Sequence, residues 1–91
     1  MSAYKVLVSH QYGRMTSVTP DIGNYSIQVA TPPEFDQGIS GHWSPEHLLA
    51  ASVGTCYMTT FLAMADKFRI GFQKLEVNSE AILERNELNY P

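Results

Sequence analysis

From His47 to Ala65 the chain contains no Asp, Glu, Lys or Arg, and this run dictates more of the fold than any other feature. It opens on helix-starting chemistry. Ser44 is suited to cap the N-terminus, Pro45 to occupy the first helical position, and Glu46 to place an anion in the first turn where the helix dipole favours one. Lys67 and Arg69 suit the other end, and Gly71 is the natural residue to leave it in a left-handed conformation. The spacing therefore predicts one helix from Ser44 to about Phe68. Apolar residues occur almost all round it, and Ala50, Ala51, Ser52, Gly54 and Thr55 cluster in its first half. Such a helix must be covered on every side, and small residues let neighbouring backbones come close. A single sheet cannot do this, so the helix is expected to be mostly buried, with a second subunit supplying part of the cover.

The same run has the length of a membrane span. Ser52, Gly54, Thr55, Thr59 and Thr60 interrupt it, however, and basic clusters or aromatic belts do not flank it on both sides. A helix buried inside protein is the better reading, with no membrane partner.

Before the helix the period changes from helical to two. Tyr4, Val6 and Val8 alternate with Lys5, Leu7 and Ser9, predicting a strand over residues 3–10. Gly13 marks a turn, a second strand follows from about Arg14 to Val18, and Pro20-Asp21-Ile22-Gly23-Asn24 is a strong turn signal. Tyr25, Ile27 and Val29 then alternate with Ser26 and Gln28 as a third strand. Residues 31–43 hold Pro32, Pro33, Gly38 and Gly41 without periodicity and read as a loop, the kind of segment that often carries function. After the helix, Lys74 to Glu84 alternates again and predicts a strand with one wet face. Arg85 to Asn89 is turn-like, and a further strand would be expected beyond Pro91, so the sequence reads as a single domain, residues 1–91, that looks cut short.

Ninety-one residues make one domain at most, and a chain this short buries only about 60–65% of its unfolded surface. With 44% hydrophobic and 16% charged residues, oligomerisation is the default expectation. The net charge of −3 and the scattered lysines and arginines offer no basic stripe, which argues against nucleic acid. The first residues do not read as a secretory signal, and one unpaired cysteine points to the cytosol, a cytoplasmic location.

That cysteine, Cys56, is the leading candidate for chemistry. A buried structural thiol is an even alternative on spacing alone. A reactive one needs its thiolate stabilised, and Cys56 lies some three turns into the helix, beyond the reach of the dipole. A cation must come from elsewhere. Arg14, at the turn between two strands, is the candidate, although a solvated arginine is the commoner case. Glu46 could orient Arg14 or simply steady the helix start. Ten residues separate Glu46 from Cys56, about 15 Å along an ideal helix, so one arginine cannot comfortably touch both within one subunit. Two subunits, or an irregular helix, would be needed. His10, His42 and His47 show no metal-ligand spacing, and one cysteine makes no zinc set. Phe35, Trp43, Tyr12 and Tyr57 are candidate pocket liners or simply packing.

Gly13-Arg14 after a first strand, the Pro-Glu-x-Leu-Leu-Ala-Ala-Ser start at Pro45 to Ser52, and Cys56 ten residues past Glu46 together resemble the OsmC/Ohr family of thiol peroxidases. The likeness runs from about Ala3 to Arg85. It implies an α+β, OsmC-like fold of N-terminal antiparallel strands, a long central helix and a further strand, intertwined with a second copy as a homodimer. It implies reduction of organic hydroperoxides or hydrogen peroxide without metal or bound cofactor, with an external thiol or dithiol as reductant. By the same resemblance Cys56 is the peroxidatic cysteine, Arg14 activates it, and Glu46 holds Arg14 at the dimer interface. The family's resolving cysteine lies in a C-terminal half that this sequence does not contain. The competing expectation is a non-catalytic OsmC-like module that binds an apolar small molecule or serves as a structural dimer, with Cys56 inert.

Overall fold

The computed structural model describes residues 2–82. Its elements, in chain order, are β1 (Val6–Tyr12), β2 (Met15–Pro20), β3 (Ile27–Ala30) and α1 (Pro45–Lys67), an α+β arrangement. Among the described residues the chain divides into two compact units, one up to Pro45 and the other over residues 46–82.

The first unit is an antiparallel sheet in the order β1-β2-β3. Val6, Val8 and His10 stand opposite Pro20, Val18 and Thr16, and Thr16 and Val18 stand opposite Val29 and Ile27. Because side chains alternate between faces, this register gathers Val6, Val8, Val18, Ile27 and Val29 on one side of the sheet. The other side carries Ser9, Ser17 and Gln28, with Met15 and Ala30 paired and buried at its end. Side chains tie the strands across: Thr16 Oγ1 donates to the Val29 carbonyl at 2.7 Å, and the Thr19 and Ser26 hydroxyls bond at 2.7 Å.

The β1–β2 turn is Gly13-Arg14. Gly13 takes φ +50°, a conformation that side chains with a Cβ resist, and the His10 ring donates from Nε2 to the Gly13 carbonyl at 2.9 Å. A register irregularity between His10 and Tyr12 adds local twist just before this turn.

The loop after β3 is bound to its own scaffold. Phe35 N–H donates to the Pro32 carbonyl, Gly38 N–H to Phe35, and Ile39 N–H to Thr31, while Ala30 N–H reaches across to the Trp43 carbonyl at 2.8 Å. Phe35 is buried. A Cβ at Gly38 would collide with the Pro32 carbonyl and the Pro33 backbone, neither of which can swing aside. Gly38→Ala is therefore expected to lower the unfolding free energy by about 1–3 kcal/mol or more, read from denaturant midpoints.

In the second unit α1 begins at Pro45 with Glu46 in its first turn and Lys67 in its last, as the sequence specifies. Its end differs from expectation. Arg69, at φ +55°, takes the left-handed position instead of Gly71; its N–H donates to Asp66 O and that of Ile70 to Ala65 O. This paired bonding is a Schellman motif, and it satisfies carbonyls that would otherwise be orphaned, which offsets the strain of placing an arginine there.

The expected strand from Lys74 to Glu84 is not formed over residues 74–82, and its last two residues lie outside the described ones, as does the turn expected at 85–89. The alternation nonetheless has a physical outcome: Leu75 and Val77 are half-buried while Glu76, Asn78 and Glu80 are exposed. Ser79 Oγ donates to the Ala50 carbonyl at 2.7 Å, and a Cβ on Gly54 would come within 3.1 Å of Ser79 Cβ. Ala50 and Gly54 thus let this segment lie close on α1. Phe61 and Phe72 add an edge-to-face contact at 6.1 Å.

Burial of α1 also departs from expectation. Ala65 is the only helix residue fully buried, and Leu49, Val53, Tyr57 and Met64 are exposed. The reason is that one chain covers one face: the helix side of Ala50, Gly54 and Ala65 has a neighbour, and the side carrying Cys56, roughly opposite at about 100° per residue, has none among the described residues of its own unit.

Candidate functional site

The three candidate residues arise from different local causes. Arg14 stands at the tip of the β1–β2 hairpin, exposed, where the left-handed Gly13 turns the chain. It follows directly from Gly13 and precedes Met15, which is fully buried, so the guanidinium projects from a backbone anchored on one side. Glu46 sits in the first helical turn because Ser44 and Pro45 start the helix there. It is half-buried, and among the described residues its buried Oε1 atom has no hydrogen-bond partner. A buried, unpaired carboxylate oxygen is costly and calls for a donor.

Cys56 is a free thiol in the middle of α1, exposed. Thr59 Oγ1 donates to the Cys56 carbonyl at 3.2 Å, so the next turn's hydroxyl is engaged with the backbone beneath the sulfur. Neighbours at helical spacing, Ser52, Val53, Thr60 and Ala63, are uncharged. Cys56 and Glu46 thus share one helix, about 15 Å apart along its axis and about 80° apart around it. Arg14 belongs to the other compact unit. Sequence reasoning did not anticipate the Thr59 bond or the orphaned oxygen of Glu46; the threonine three residues after Cys56 was the only available signal for the former.

Among the described residues, no group of three His, Cys, Asp or Glu side chains could hold a metal ion. The loop aromatics divide: Phe35 is buried as packing, whereas Trp43, Tyr12 and Tyr57 are about half or more exposed.

A small antiparallel sheet and one long helix bearing a single exposed thiol define an α+β protein with a free cysteine on its helix. The family model for OsmC-like proteins matches residues 37–89, more than half of the chain, and the chain belongs to that family. The matched span contains Glu46, Cys56 and the whole of α1, and it begins after Arg14. No curated protein matches the chain.

Proposed function

We propose that the protein is a cytoplasmic thiol peroxidase that reduces organic hydroperoxides or hydrogen peroxide at Cys56, in a homodimer whose site lies at the interface. The observation that carries this reading is the buried, unpartnered Oε1 of Glu46 in the first turn of the helix bearing the exposed thiol. A carboxylate in that condition is a ready acceptor for a guanidinium, and Arg14 is the donor that the resemblance of the Gly13-Arg14 turn suggests. Bidentate pairing with Glu46 would fix the arginine's plane and leave an N–H edge to face sulfur and peroxide. Since helix rise separates Glu46 from Cys56 by about 15 Å, the reading assigns the complete site to two copies.

In the reaction the Cys56 thiolate attacks the distal oxygen of the peroxide. An S–O bond forms as the O–O bond breaks, the departing alkoxide or hydroxide takes a proton, and Cys56 is left as a sulfenic acid. Sulfur has lost two electrons and the peroxide has gained them. Arg14 stabilises the thiolate before attack and the negative oxygen that leaves. Two equivalents of an external thiol, or one dithiol, then return Cys56 to the thiol with release of water and a disulfide.

Brief treatment with cumene hydroperoxide in the presence of dimedone is expected to add one dimedone mass at Cys56. Arg14→Ala should reduce that labelling at least about tenfold, as for loss of a group that stabilises charge in the transition state. Equal labelling in Arg14→Ala, or none in the unmodified protein, would remove the basis of the proposal.

A further inference from the structure

The register of the β1–β2 hairpin shows how its tip is built. His10 stands opposite Thr16 and the next pair is Tyr12 with Met15, so β1 spends residues 10–12 against residues 15 and 16 of β2. Gln11 is the extra residue, and Gln28 Nε2 donates to its Oε1 at 3.1 Å, which ties the bulge to β3. In an unbroken register Gln11 would face Met15 and residues 12–14 would form the loop. The bulge shortens the loop to Gly13-Arg14.

A two-residue loop contains one peptide that the strand ladder does not hold, the one joining its two residues. Gly13 is at φ +50° and Arg14 is not at positive φ, the pattern of a type II′ turn. Rotating the Gly13–Arg14 peptide by half a turn gives type I′, in which both residues take positive φ and the Gly13 carbonyl points to the other face of the hairpin. Glycine tolerates either state, whereas arginine resists the second. His10 Nε2 donates to that same carbonyl at 2.9 Å, a bond available in the first state alone. Because the peptide is planar, whatever holds the Gly13 oxygen also holds the nitrogen and Cα of Arg14. The direction in which the Arg14 side chain leaves the turn is thereby fixed.

We propose that His10 is a positioning residue for Arg14. Its imidazole, with hydrogen on Nε2, holds the Gly13–Arg14 peptide in one of two turn states and so aims the guanidinium. The proposal rests on the peroxidase reading above. It gives His10, which joins no metal-ligand group among the described residues, a part in that reaction without contact with substrate.

The second-order rate of thiol loss from Cys56 to cumene hydroperoxide tests it, measured in the unmodified chain, His10→Phe, His10→Gln, Arg14→Ala and the His10→Phe, Arg14→Ala double variant. His10→Phe keeps a planar ring and removes the donor, and should slow the reaction about three- to tenfold, the worth of one hydrogen bond. By NMR it should also bring out a strong HN–Hα Overhauser effect within Arg14, the mark of positive φ. His10→Gln carries an amide donor to about the place of Nε2 and should restore the rate to within about twofold. In the Arg14→Ala background His10→Phe should add nothing, since its effect passes through Arg14. A His10→Phe rate equal to that of the unmodified chain, with Arg14→Ala slow, overturns the role of His10 and leaves the peroxidase reading standing. An equal loss from His10→Phe with and without Arg14 also overturns it, as the sign of a merely structural bond. Equal rates in Arg14→Ala and the unmodified chain overturn the peroxidase reading and this proposal with it. If His10→Phe does not fold, the ring nitrogens of the unmodified chain decide: hydrogen on Nε2 supports the proposal, and hydrogen on Nδ1 alone overturns it.

Discussion

Cys56→Ser is expected to abolish thiol-dependent peroxide consumption outright, leaving only the background rate of peroxide with the reductant itself. The substitution exchanges one atom at an exposed position on α1, so folding should be unaffected. Its chemical consequence is large because a serine hydroxyl is overwhelmingly neutral near pH 7, whereas sulfur is a strong nucleophile as thiolate and can hold the transferred oxygen as a sulfenic acid. As the sequence contains one cysteine, no second thiol in this chain could mask the loss. Coupled consumption of cumene hydroperoxide with dihydrolipoamide, with circular dichroism to confirm folding, checks it. Activity persisting in Cys56→Ser would place the chemistry elsewhere.

Met15→Ala should have the largest effect on stability, about 2–5 kcal/mol. Met15 is fully buried, faces Ala30 across β2–β3, and terminates the β1–β2 ladder opposite Tyr12. Removing its side chain loses apolar burial and leaves a cavity that the surrounding backbone, tied by the Thr16–Val29 bond, fills only in part. In a chain of 91 residues, whose whole stability is of order 5–15 kcal/mol, the shift in denaturant midpoint would be plain. A midpoint unchanged by Met15→Ala would show that this residue does not anchor the sheet.

The helix start was legible from sequence because Ser44, Pro45 and Glu46 act locally: capping, a preset φ and the dipole need no distant partner. The three strands were legible for a similar reason, since period-two alternation fixes which side chains share a face. Residues 74–82 mark the limit of that reasoning. Alternation correctly separated Leu75 and Val77 from Glu76, Asn78 and Glu80, yet a strand also needs a ladder partner, and alternation does not specify one. The left-handed residue that closes the helix was misplaced by two positions because glycine is favoured there, while the bonds from Arg69 and Ile70 to Asp66 and Ala65 outweighed that preference. Burial of α1 was overstated for one chain because an all-round apolar helix states that it must be covered without stating by what. Of the candidate site, Cys56 and Glu46 could be placed on one helix at a known rise, whereas the orphaned oxygen of Glu46 depends on three-dimensional surroundings that no local pattern encodes.

In the proposed site Arg14, held by Glu46, makes Cys56 a peroxidatic thiol. It is tested most directly by the second-order rate at which Cys56 loses its thiol to cumene hydroperoxide at pH 7 in the unmodified protein, Arg14→Ala and Glu46→Gln, with free glutathione as reference. The account predicts that the unmodified protein reacts at least about a hundredfold faster than glutathione, that Arg14→Ala removes most of that excess, and that Glu46→Gln falls between. Equal rates in all three proteins, close to that of glutathione, would contradict it.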